Sequence, residues 1–270
     1  MSDTPDFATI TSRQQATWGA GDFNIFAMKT MPVAEALVDA ADPKPGQRVL
    51  DIACGSGNNA LVAARRHCDV VGLDFVPALV ARAKQRAAAD GVPIEFHEGD
   101  AQAMPYEEKS FDCVLSTFGV MFAPNQEKAA AEILRVTKPG AKIAIASWMP
   151  EGFGGNFFRM MAKYAPPPPG VKPGSRWGTV AGMTELLGSG APLISARARH
   201  FRQYFPSVNA GVEIFTTHFP IAVKVISPAD AATKAAFRKD LTELFQSQNS
   251  AKDGTLVMEC EYFEGIARRA

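Results

Sequence analysis

Residues 51–57 read Asp-Ile-Ala-Cys-Gly-Ser-Gly, a loop of small side chains with an acid at its head. Gly55 and Gly57 allow a sharp turn and let a ligand approach the backbone closely. A helix starting just beyond them would aim its free N–H groups at the same spot. A second acid, Asp74, closes the apolar run 69–74, and a third, Asp100, stands between Gly99 and Ala101. An ionised carboxylate is acceptor-only and can hold two donors at once, which suits a pair of hydroxyls or an amino group. The glycine spacing has two readings. Gly55-Ser56-Gly57-Asn58-Asn59-Ala60 also fits the dinucleotide pattern G-x-G-x-x-A, with Asp74 about twenty residues further on. Asp51 argues against a pyrophosphate, because its carboxylate suits an ammonium or a sulfonium instead. Asp100 and the pair Pro139-Gly140 also lie outside the dinucleotide pattern.

The elements that must position these residues alternate. Residues 47–53, 69–74, 94–97, 111–116 and 142–147 read as strands, and 59–67, 77–90 and 125–135 as helices. Pro77 suits a first-turn position, and Lys138-Pro139-Gly140 reads as a helix stop. Such alternation implies βαβ units and a parallel sheet, with ligands beyond the carboxyl ends of the strands. After residue 150 the pattern loosens. Gly152, Gly154 and Gly155 precede a predicted helix at 156–164, and the run 166–170, four prolines and a glycine, must be extended. A short helix at 179–187, a strand at 195–204, a helix at 228–248 and a strand at 255–266 complete the reading. The fold class expected is α/β: a doubly wound, mostly parallel seven-stranded sheet with helices on both faces and a helical lid insertion after the fifth strand.

Residues 49–57 (VLDIACGSG), 72–74 (GLD), 99–101 (GDA), 111–116 (FDCVLS) and 134–140 (LRVTKPG) together resemble the Rossmann-like (class I) S-adenosylmethionine-dependent methyltransferases, most of all the ubiquinone/menaquinone-biosynthesis-like (methyltransferase type 11) group. The likeness is close over roughly 45–150. A fainter one covers 14–23 (QQATWGAGDF), which resembles a helix those proteins fold over the cofactor, with Trp18 on it. Ala53 departs from the glycine many members carry. The resemblance implies that Asp51, Gly55 and Gly57 hold the methionine end of S-adenosylmethionine. It implies that Asp74 takes the ribose hydroxyls, that Phe75 packs on the adenine, and that Asp100 and Ala101 read the adenine edge. Ser116 and Thr117 would face the methyl donor. S-adenosylhomocysteine would be the product. One domain is expected over 1–270: N-terminal helices to 45, a cofactor core at 46–150, a substrate lid at 151–192, and the remaining sheet and substrate side at 193–270.

Methyl transfer from a sulfonium is an in-line displacement at carbon, so the protein mainly positions and desolvates the nucleophile. No motif marks a general base, and the catalytic residue is left open with His200, His218 and Tyr164 as candidates. His67 and His97 fall in the cofactor half and are weaker still. Phe118, Met121, Phe122, Trp148, Phe153 and Phe157 fall where this fold binds substrates, implying a small, apolar or aromatic acceptor. A stripe of this kind also suits plain core.

Bulk composition narrows the classes. Lys plus Arg and Asp plus Glu each number 28, so no net positive field exists to hold a phosphate backbone. Arg197, Arg199 and Arg202 could form a local basic patch, with a solvated strand edge as the plainer reading. Cys54, Cys68, Cys113 and Cys260 form no C-x-x-C pair, so no metal ligand set is expected. Neither a signal pattern nor a membrane-length apolar run is evident, and a cytoplasmic protein is expected, with no stable membrane association and no nucleic-acid partner. Two further alternatives stay open: a dinucleotide-dependent oxidoreductase, and a non-catalytic adenosyl-ligand binding protein.

Overall fold

The structure is a computed structural model and describes residues 5–270. Seven strands form one sheet: β1 (Arg48–Ile52), β2 (Asp69–Asp74), β3 (Glu95–Glu98), β4 (Phe111–Thr117), β5 (Thr137–Trp148), β6 (Leu193–Phe205) and β7 (Leu256–Arg268). Their spatial order is β3-β2-β1-β4-β5-β7-β6. Strands β1 to β5 pair in parallel, while β7 runs antiparallel between β5 and β6. The central strands are apolar almost without interruption because both of their faces are covered.

The helices are α1 (Phe7–Trp18), α2 (Asn24–Lys29), α3 (Met31–Ala41), α4 (Asn58–Ala64), α5 (Pro77–Asp90), α6 (Gln126–Val136), α7 (Gly152–Ala162), α8 (Val180–Leu187), α9 (Val208–His218), α10 (Pro220–Ile226) and α11 (Ala231–Gln248). Two hydrophobic layers sandwich the sheet. One joins Leu37, Leu61, Val80, Phe157, Phe215 and Phe237, drawing on α3, α4, α5, α7, α9 and α11. The other joins Leu50, Leu73, Ile133, Ile143, Trp177 and Met183, drawing on α6 and α8. The expected doubly wound sheet is thus present, and among the described residues no helix is long and apolar enough to cross a membrane.

Three local expectations differ from the structure. Strand β5 begins at Thr137, so Lys138-Pro139-Gly140 lies inside its first stretch. Thr137 pairs with Phe111, the register then shifts, and Gly140 at φ 78° lets the strand bend there. Gly154 and Gly155 lie within α7 and do not precede it; an added Cβ would meet the Trp148 ring at 2.7 Å or the Pro150 carbonyl at 1.8 Å, so they are close-packing positions. Helices α9 and α10 are absent from the sequence reading, although Ser207 caps α9 and Pro220 opens α10. The later part of the 151–192 segment also packs on the strand ends, where a Cβ on Gly178 would lie 2.0 Å from the Trp148 carbonyl. Trp177 and Met183 are wholly buried in the layer beneath α6 and α8.

Candidate active site

A cleft holding about 930 Å³ of empty space opens at the carboxyl ends of β1, β2, β3 and β4. The strand order reverses between β1 and β4, which is where this architecture binds ligands. Gly55 and Gly57 take φ 56° and 85° in the loop after β1, conformations a glycine adopts freely. Ala53 and Phe118 also have positive φ, at 49° and 55°. For residues with a Cβ this costs about 1–2 kcal/mol each, so backbone strain is concentrated at the cleft. The departure from glycine at 53 therefore carries a conformational cost. The loops after β1 and β4 touch: a Cβ on Gly119 would lie 2.4 Å from the Ala53 carbonyl oxygen.

The three acids occupy different depths. Asp51 is fully buried and does not border the cleft. Its Oδ1 accepts from Asn59 Nδ2 at 2.8 Å and its Oδ2 from the Ala60 N–H at 3.1 Å, so it satisfies the first turn of α4 from below. Asn59 Oδ1 in turn accepts from the Thr117 hydroxyl at 2.8 Å, and Thr117 does line the cleft. Burial pushes the Asp51 carboxyl up to about 7, against the pull of these two donors. Asp74 lines the cleft, with Oδ2 accepting from the Gly55 N–H at 2.8 Å and Oδ1 from the Val76 N–H at 2.9 Å. Burial pushes it up to about 6. Asp100 also lines the cleft and accepts from the Gln102 N–H at 2.9 Å and from the Gln102 amide.

Two covers close over this floor. From one side α1 lies across the cleft: Gln15 Nε2 donates to the Phe75 carbonyl, and Gln102 Nε2 donates to Thr11 Oγ1 at 3.1 Å. That helix carries Trp18 into the wall, 4.7 Å from the Phe122 ring and 5.4 Å from Phe23. From the other side come α9 and α10. The covers meet where the Asp22 N–H donates to the His218 carbonyl at 3.1 Å, a contact so close that a Cβ on Gly21 would sit 2.5 Å from that oxygen. Behind Trp18, Phe23, Thr30, Phe118 and Phe122 lies an inner chamber of about 560 Å³, which shares these five residues with the cleft. Its remaining wall includes Phe26, Trp148, Phe153, Phe157, Phe215 and Phe219. Phe118 and Trp148 stack face to face, 4.1 Å between ring centroids and 10° between planes.

Most of the residues picked from the sequence gather here. Trp18, Gly55, Asp74, Phe75, Asp100, Ala101 and Thr117 line the cleft, Phe118 and Phe122 line both cavities, and Trp148, Phe153 and Phe157 line the chamber. Four do not touch either cavity. Asp51 acts on α4 as described. Gly57 caps α4 and packs on Phe96 and Ala83. Ser116 is spent internally, donating to the Ile52 carbonyl at 2.8 Å and accepting from the Val120 N–H at 3.0 Å. Met121 is buried, its sulfur accepting from Ser147 Oγ at 3.4 Å.

None of the three catalytic candidates lines a cavity. His200 is exposed on β6 and faces Glu261 at 3.5 Å. Tyr164 donates to Asp240 at 3.2 Å and packs on Phe237. His218 contributes its carbonyl, not its ring, to the junction of the covers. The arginines of β6 form cross-strand pairs: Arg197 and Arg199 with the buried Glu264 at 2.9 and 3.0 Å, and Arg202 with Glu259 at 3.5 Å. Sequence reasoning missed Phe23, Thr30, Gln102, Gln203, Phe215 and Phe219. The spacing of Val212, Phe215 and Phe219 after a Ser207 cap was the signal available for the last two.

The donor set distinguishes the ligands. Two carboxylates and no lysine, arginine or histidine line the cleft among the described residues. That suits a ligand with hydroxyls and a positive centre, and disfavours a pyrophosphate. The Gly55 N–H, which a phosphate would need, already donates to Asp74. Together with the antiparallel β7, the site and the strand order define a class I transferase domain, distinct from the all-parallel dinucleotide fold.

Comparison with known proteins agrees. A family model described as "Methyltransferase domain" matches residues 50–145. An uncharacterized protein of Mycobacterium tuberculosis is 37% identical over 96% of each chain. The demethylmenaquinone methyltransferase of Renibacterium salmoninarum is 42% identical over 44% of this chain and 48% of its own. Among solved structures, a geranyl diphosphate methyltransferase in complex with SAM is similar in fold, with TM-score 0.55 and 16% identity over 89% of this chain and 85% of that one. The chain belongs to the class I S-adenosylmethionine-dependent methyltransferases, in the ubiquinone/menaquinone-biosynthesis-like group.

Proposed function

We propose that this enzyme methylates a small, planar, largely apolar acceptor held in the aromatic chamber behind the cofactor cleft. The observation that carries this reading is the shared wall: Trp18, Phe23, Thr30, Phe118 and Phe122 border both cavities, so a substrate in one lies directly against a cofactor in the other. The chamber is lined almost wholly by aromatic rings, which suits an apolar small molecule. No titratable side chain lines it among the described residues. That arrangement suits a nucleophile acidic enough to ionise unaided, such as an enol or phenol carbon or a thiol, and the demethylmenaquinone relative is consistent with it.

Bound S-adenosylmethionine would supply an activated methyl group on its sulfonium. In this reading Asp74 holds the ribose hydroxyls with the lone pairs left after Gly55 and Val76, and Asp100 with Ala101 meets the adenine edge. Phe75 and Leu79 pack on the base, while Asn59 and Thr117, braced by Asp51, lie at the methionine end. Segments 1–45, 151–192 and 193–270 would supply the covers around the core at 46–150. The two covers exclude water, and the aromatic wall orients the acceptor for in-line attack.

Calorimetric titration with S-adenosylhomocysteine beside NADH tests the cofactor half. The expected result is saturable binding of the nucleoside alone, weakened by more than about tenfold in Asp74→Ala, since a bidentate charge-assisted contact is lost. Binding of NADH in its place would refute the assignment.

A further inference from the structure

The loop after β1 is pinned from behind by a cation. Arg86, half-buried on α5, places Nη1 2.7 Å from the Ser56 carbonyl oxygen, 2.9 Å from Ser56 Oγ and 2.8 Å from Asn58 Oδ1. Among the described residues it is the one cationic side chain hydrogen-bonded to a residue that lines the cleft. Ser56 and Asn58 are buried, so these bonds are made away from water.

The Asn58 amide has one orientation that fits. A guanidinium donates and cannot accept, so the atom facing Arg86 is the oxygen. The nitrogen then points to α2, where Nδ2 donates to the Ala27 carbonyl at 2.6 Å and to Thr30 Oγ1 at 3.4 Å. That carbonyl accepts and cannot donate, so both ends of the amide demand the same orientation. A charged donor on the oxygen polarises the amide and strengthens its nitrogen as a donor. Among the described residues the Asn58–Ala27 contact is the one hydrogen bond between α2 and the core at 46–150.

The residues that α2 brings in serve both cavities. Ala27 and Thr30 line the cleft, Phe26 and Thr30 line the chamber, and Phe23, just before the helix, borders both. Asn58 lines the cleft itself. A cofactor seated on residues 55–58 therefore lies against the same amide that holds part of the chamber wall.

We propose that Arg86 and Asn58 are positioning residues: Arg86 orients the Asn58 amide, and that amide sets α2 against the glycine loop, so filling the cofactor cleft firms the wall of the acceptor chamber. This rests on the methyl-transfer reading, which assigns the cleft to S-adenosylmethionine.

Hydrogen–deuterium exchange of residues 24–30, with and without saturating S-adenosylhomocysteine, tests this on the full chain. Calorimetric titration sets the saturating concentration for each variant. In the wild type the ligand is expected to slow exchange there roughly tenfold. Asn58→Asp keeps an acceptor for Arg86 but sets a carboxylate oxygen against the Ala27 carbonyl, and the slowing is expected to fall below about twofold. Arg86→Leu leaves the amide unoriented and is expected to act the same way, which covers the case in which the aspartate variant does not fold. Arg86→Lys keeps a cationic donor and is expected to retain the slowing. Residues that only stabilise the fold would change exchange equally with and without ligand, leaving the ratio at its wild-type value. That ratio unchanged in folded Asn58→Asp or Arg86→Leu, its loss in folded Arg86→Lys, or no slowing in a wild type that binds S-adenosylhomocysteine overturns the proposal and leaves methyl transfer standing. Failure of the wild type to bind S-adenosylhomocysteine removes the methyl-transfer reading itself and this proposal with it.

Discussion

Replacing Asp51 by asparagine should flatten the pH dependence of stability in the ligand-free protein. The carboxyl is fully buried, and burial pushes it from an ordinary value of 3.8 up to about 7. A folded-state value raised above the unfolded one gives stability that is complete at low pH and lost as pH rises through the folded value. From pH 5 to 7 the unfolded chain has already released this proton while the folded chain keeps it. Each unit then removes about 1.4 kcal/mol, or about 3 kcal/mol over the interval. Asp74, raised to about 6 by the same cause, adds about 1.4 kcal/mol between pH 5 and 6. The wild type should therefore lose about 4 kcal/mol from pH 5 to 8 through these two groups, and Asp51→Asn only about a third of that. The variant can keep the local network. Its oxygen can accept from the Ala60 N–H, and its amide nitrogen can donate to Asn59 once that side chain turns over and donates to Thr117 in place of accepting. Urea unfolding at pH 5, 6, 7 and 8 measures both curves. Parallel curves would refute the assignment of the pH dependence to Asp51.

Gly119→Ala should destabilise the protein by about 1–3 kcal/mol, seen as a lower urea midpoint, because its Cβ would press on the Ala53 carbonyl at 2.4 Å. His200→Ala, His218→Ala and Tyr164→Phe should each leave kcat/KM within about twofold of wild type, since none of these side chains lines either cavity. Formation of S-adenosylhomocysteine with a competent acceptor is the readout, and a loss of about tenfold or more in any of the three would return that residue to the reaction.

The cofactor half was legible because its chemistry is local. A strand, a glycine turn and an acid lie within a few residues of one another, and the period-two and period-3.6 patterns around them are strong. Thus Gly55, Asp74 and Asp100, singled out from spacing and resemblance, all line the cleft. What their neighbours do was less legible. Asp51 reads as a ligand contact until the structure shows both of its oxygens taken by α4, and Ser116 likewise until its hydroxyl is seen clamping β1. A sequence shows that an acid follows a strand, but not which way it faces.

The substrate side was decided only in three dimensions. Phe118 and Trp148 were nameable because they follow strands, whereas Phe23, Phe215, Phe219 and Gln203 come from segments far apart in the chain. They meet because β7 turns back antiparallel between β5 and β6, which brings α9 and α10 onto the cleft opposite α1. Long-range pairing of this kind leaves no periodic trace in the sequence. The residues alone determined the α/β core and the acids at its strand ends, because local backbone and burial preferences dictate them. The aromatic chamber and the position of the three candidate bases away from both cavities follow from how distant elements pack.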